Sequence, residues 1–125
     1  MLALLIPSAC GPGGLNGCPI VPPTALPSGR PPGTPIEGVA GGAKQVVWGD
    51  GADSVDLRIG LSYMAAQDMV LHNVEVRGQP GFVFQIVPET QVGLGLTWSQ
   101  GGCDYTVFLD SSVGASELAD FASRY

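Results

Sequence analysis

Nine of the eleven prolines fall within the first 43 of the 125 residues. Each proline removes a backbone donor and fixes φ, so the apolar runs between them cannot build regular helix or interior strand. The same stretch holds nine of the nineteen glycines and only two charged side chains, Arg30 and Glu37. The chain therefore divides into three parts. Residues 1–10 form an apolar signal-like segment, residues 11–43 a flexible Pro/Gly-rich spacer, and residues 44–125 a single globular β-rich domain. A domain of about 80 residues buries roughly 60% of its unfolded surface, enough to fold alone with little margin.

Behind the prolines, the pattern is that of hairpins. In Val92–Leu109, Val92, Leu94, Leu96 and Trp98 alternate with Gly93, Gly95 and Thr97. Gln100-Gly101-Gly102 supplies a turn, and Tyr105, Val107 and Leu109 alternate beyond it. This is the period of two of half-buried strands joined by a tight loop. Lys44–Gly60 repeats the pattern around a turn at Gly49–Asp53, and Asn73–Glu89 repeats it around a turn at Gly78-Gln79-Pro80-Gly81. Leu61–Leu71 has no clear period and is expected to be a loop or one irregular turn. In Ala115–Tyr125, Leu118, Phe121, Ala122 and Tyr125 fall on one helical stripe, with Gly114 as N-cap and Glu117 at the third helical position. The expected fold class is α+β: an antiparallel sheet of about five to six strands with one C-terminal helix packed on it.

The formal net charge is −6, and residues 44–125 carry all of it with ten acids against four bases. Nucleic acid needs clustered Lys and Arg to displace counterions, so it is not an expected partner. Adsorption to an anionic membrane surface is disfavoured for the same reason. Asp50, Asp53 and Asp56 lack the ligand spacing of an EF-hand loop, and His72, the single histidine, has no metal-ligand neighbours in the sequence. No cofactor or metal site is expected.

Met1–Cys10, MLALLIPSAC, runs from an apolar stretch through Ser8 and Ala9 to cysteine. It resembles the end of a bacterial lipoprotein signal peptide, a resemblance that implies lipidation of Cys10. The proline-rich stretch then suits a tether; a PxxP-type ligand at Pro19–Pro23 or Pro32–Pro35 is the sharper reading of the same residues. Three cysteines are too few for a disulfide scaffold. In an oxidising compartment Cys103 is placed to bridge Cys18, while Cys10 with Cys18 is the other pairing.

Residues 70–125 carry a further resemblance. Val74-Glu75-Val76-Arg77-Gly78, Leu96-Thr97-Trp98, Gly101-Gly102, Tyr105-Thr106-Val107 and the helix containing Glu117-Leu118 and Phe121-Ala122 follow one another in a familiar order. That order resembles the domain of unknown function found in the extracytoplasmic part of bacterial anti-sigma factors and in lipoproteins of the lipoprotein-sorting (LolA-like) fold. The resemblance implies an extracytoplasmic, non-catalytic module and carries no catalytic residues.

The functional expectation is an exported, lipid-anchored surface module, not an enzyme, that binds or regulates. It meets the membrane through its anchor alone and an extracytoplasmic protein or small molecule through its domain. Trp98 and Tyr105, facing each other across one turn, are candidates for a ligand platform; core packing is the other reading. The alternatives are a small enzyme using Cys103 with His72, or the carboxylates Asp104 and Asp110, and a cytosolic structural domain.

Overall fold

The computed structural model describes residues 17–60, 69–86 and 93–125. Seven strands form one antiparallel sheet: β1 (Ile36–Ala40), β2 (Ala43–Asp50), β3 (Asp53–Ile59), β4 (Met69–Val76), β5 (Gln79–Gln85), β6 (Leu94–Gln100) and β7 (Cys103–Phe108). Their order is β1-β2-β3-β7-β6-β5-β4, two meanders joined by the pairing of β3 with β7. A helix, α1 (Ala115–Arg124), follows and packs over β4, β5 and β6.

The strand count exceeds the expected five to six by one. The extra strand is β1, which lies inside the proline-rich stretch and pairs with β2 from Ile36 opposite Val47 to Ala40 opposite Ala43. All five of its side chains are exposed or half-buried, so it carries no alternation to betray it. The signal that was present is Gly41-Gly42, a two-residue hairpin loop with both residues at positive φ.

Two further corrections concern β4 and β5. The turn between them is Arg77-Gly78, not Gly78–Gly81, and Gln79 and Pro80 already belong to β5. Pro80 is tolerated because the ladder to β6 begins only at Gly81, opposite Trp98. Strand β4 starts at Met69, inside the stretch read as a loop, and carries a register shift between Val70 and His72. It is an edge strand with mostly exposed side chains, so its apolar pattern is weak.

The registers put one set of apolar side chains on one face. Val46 and Trp48 pair with Leu57 and Val55; Leu57 and Ile59 pair with Val107 and Tyr105; these pair with Leu96 and Trp98. All nine are at most 2% exposed. Helix α1 contributes Leu118, Phe121 and Ala122 to the same cluster. Its first turn is closed by Glu117, whose carboxylate accepts from the Gly114 amide.

The remaining contribution comes from the stretch expected to be a spacer. Cys18, Val21 and Leu26 are buried in the same cluster, and Leu26 lies close beside Gly49 of β2. Residues 18–30 cross this face as a strap, from the β6–β7 turn to the β2–β3 turn. The composition argument fails here for a physical reason: a segment without its own periodicity is held by side chains reaching it from elsewhere.

On the opposite face, Asp56 accepts from Gln45 and from both ends of the Arg58 fork, and that guanidinium stacks over Phe108. The Phe84 ring lies against Gly95, where any Cβ would meet it at 2.6 Å.

Candidate binding site

Cys18, Cys103, Trp98 and Tyr105, the predicted site residues that the structure describes, converge at the start of the strap. Cys18 and Cys103 form a disulfide, which closes a sequence separation of 85 and fixes the strap to the first residue of β7. Trp98 and Tyr105 face each other across β6 and β7 as stacked rings, with centroids 5.3 Å apart. Tyr125, the C-cap of α1, tilts against Trp98 at 5.1 Å and meets Phe121 edge-on.

Trp98 and Tyr105 do come together, but not as an open platform. They are 2% and 0% exposed because Tyr125 and the strap cover them. Their polar atoms are used internally: Trp98 Nε1 donates to Gln100, and the Tyr105 hydroxyl donates to the Pro19 carbonyl at 2.8 Å. The Tyr125 hydroxyl donates to the Val21 carbonyl at 2.6 Å, and Arg77 Nη2 to the Pro22 carbonyl at 2.8 Å. Further along, the Thr24 hydroxyl donates to the carbonyl of Arg124. Asp53 takes the strap's far end, accepting from the Ser28 amide and hydroxyl and from Arg30.

The electrostatics follow from these contacts. Burial pushes both tyrosine phenols above their ordinary value, Tyr125 strongly, although the nearby Arg77 acts the other way. The Ser28 hydroxyl, with Arg30 beside it, holds the Asp53 carboxyl below the usual carboxylate value.

A separate cleft of about 530 Å³ lies at the other end of the sheet, where the β7–α1 loop meets the ends of β4, β5 and β6. Leu94, Phe108, Leu109, Val113 and Leu118 give it an apolar lining, and Gln85 and Asp110 add polarity. Ser112 donates to Asp110 from both its hydroxyl and its amide, which keeps that carboxylate ionised below the usual range. A mostly apolar concavity with a few convergent polar groups is the usual form of a small-molecule site. The sequence reading missed it because it forms only where four elements meet.

The catalytic alternatives find no geometry. The Cys103 sulfur is consumed in the disulfide, and β5 and β6 separate β7 from the strand bearing His72, about 14 Å at ordinary strand spacing. Asp104 and Asp110 lie toward opposite ends of β7, about 20 Å apart at the rise of an extended chain. Asp53 and Asp56 are three positions apart on one strand and so point to opposite faces. No group of three or more His, Cys, Asp or Glu capable of holding a metal ion occurs among the described residues. Cys10 and the signal-like segment lie outside the described residues.

Comparison with protein-family models, with curated proteins and with solved structures finds no match to this chain.

Proposed function

We propose that this chain is an exported bacterial surface module, lipid-anchored through Cys10, that binds or regulates and does not catalyse. The observation that carries the reading is the Cys18–Cys103 disulfide. Structural disulfides persist in oxidising compartments and are rare in the cytosol, so the pair fits a non-cytoplasmic location. Among the described residues no helix is long and apolar enough to cross a membrane. In this reading a lipid on Cys10 supplies the attachment, as the resemblance of residues 1–10 to a lipoprotein signal peptide implies.

Because the strap is tied to the sheet from Cys18 onward, the tether shortens to the few residues between Cys10 and Cys18. The domain then sits close to the membrane surface, and its negative charge keeps it off anionic headgroups. The 530 Å³ cleft is the ligand site of this reading, suited to a small molecule with an apolar body and a cationic or hydrogen-bond-donating end that meets Asp110.

Expression of the full chain in a bacterial host, followed by detergent-phase partition, tests the anchor. The wild type is expected in the detergent phase and a Cys10→Ser variant in the aqueous phase. Identical partition of the two would overturn the anchored reading.

A further inference from the structure

The strap is held in an unusual manner. A segment added to a sheet edge is normally fixed by paired backbone donors and acceptors. Pro19, Pro22 and Pro23 have no N–H to give, and this part of the strap meets the rest of the fold through its carbonyls. Three side chains from three different elements meet those carbonyls: Tyr105 of β7 takes Pro19, Tyr125 after α1 takes Val21, and Arg77 of the β4–β5 turn takes Pro22. The Val21 and Pro23 side chains are buried, and Val21 belongs to the same cluster as Trp98, Tyr105 and Tyr125.

Arg77 adds an independent observation. It has φ of 51°, the single positive-φ residue other than glycine among the described residues. A two-residue hairpin loop of this kind ordinarily takes Asn or Gly at that position. The strained backbone places a guanidinium where it donates to Pro22 and lies over the Tyr125 ring at 5.8 Å.

We infer that the groove formed by Arg77, Trp98, Tyr105 and Tyr125 is a receptor site for proline-rich peptide, filled here by the chain's own residues 18–26. Aromatic walls with donors aimed at carbonyls form a recognition mode for proline-rich segments, whose restricted backbone lowers the entropy cost of binding. Within one chain the tether gives the resident segment a high effective concentration, and the disulfide holds it in place until that bond is reduced. A proline-rich segment from another chain enters only when the resident one is displaced. This inference stands without the lipid anchor and concerns a different site from the Asp110 cleft.

The test uses the full chain carrying Cys18→Ser and Val21→Asp, which removes the covalent link and disfavours docking of the resident segment. The probe is a synthetic peptide of residues 17–26 with Cys18→Ser, its binding followed by Trp fluorescence. Saturable binding is expected, about tenfold tighter than that of a control peptide with its three prolines replaced by alanine. Adding Arg77→Ala should weaken it by about tenfold. Equal binding of the two peptides to the folded double variant, or no binding, overturns the proposal.

If that variant does not fold, the wild type decides. After reduction, Cys18 and Cys103 should react with a maleimide, and the amides of Ile20, Val21 and Leu26 should exchange, while the β2, β3 and β7 amides stay protected. Exchange of the strap only together with global unfolding would make it an inseparable part of the core and would likewise overturn the proposal.

Discussion

The Tyr125 hydroxyl donates to the carbonyl of Val21, 104 positions earlier in the chain, at 2.6 Å. This bond joins the end of the helix to a strap that composition alone would leave free in solvent. Tyr125→Phe keeps the ring and its contacts with Trp98 and Phe121 but leaves a buried acceptor without its donor. The expected loss is about 1–3 kcal/mol of folding stability. Tyr105→Phe, which unpairs the carbonyl of the solvent-exposed Pro19, should cost about 0.5–1.5 kcal/mol. Urea midpoints at constant m-value check both.

The disulfide closes a loop long enough for the chain-entropy model to assign it about 4.5 kcal/mol. Cys103→Ser is therefore expected to lower stability more than either tyrosine change. Chemical reduction should reproduce most of that loss in the wild type and none of it in the variant.

The two tyrosines also set an alkaline limit. Burial raises both phenols in the folded state, so the native protein holds these protons when the unfolded chain has released them. Their contribution is complete below about pH 10, the ordinary phenol value, and is lost as pH rises beyond it. Urea stability should be level between pH 7 and 9 and fall above 10. In Tyr125→Phe the alkaline fall should be shallower.

On the other face, Gly95 is the test of packing. A Cβ there meets two Phe84 ring atoms at 2.6 and 2.7 Å and Phe108 at 3.2 Å. Gly95→Ala should cost about 1–3 kcal/mol through displacement of these rings. An unchanged urea midpoint would show that Phe84 has room to move.

The hairpins were legible because burial on one face writes a period of two into the residues, as in Val46 and Trp48 or Tyr105 and Val107. The helix was legible from Leu118, Phe121 and Ala122 for the equivalent reason. Cysteine count and compartment pointed to Cys18 with Cys103, although Cys10 with Cys18 stood beside it as the other pairing. The strap was not legible. Its partners Tyr105, Tyr125 and Arg77 lie 86, 104 and 55 positions away and meet it through carbonyls, which every residue possesses. A bond to a carbonyl leaves no mark on the identity of its acceptor. That Trp98 and Tyr105 meet across one turn was legible from their spacing; the strap that covers them and makes them core packing was not.

The lipid anchor and the disulfide are tested together by the intact mass of the protein isolated from its native host, with thiols alkylated before and after reduction. The account predicts a diacylglyceryl mass on Cys10 and a Cys18–Cys103 pair that takes up alkylating agent only after reduction. A species without lipid whose three cysteines are all alkylated before reduction would contradict it.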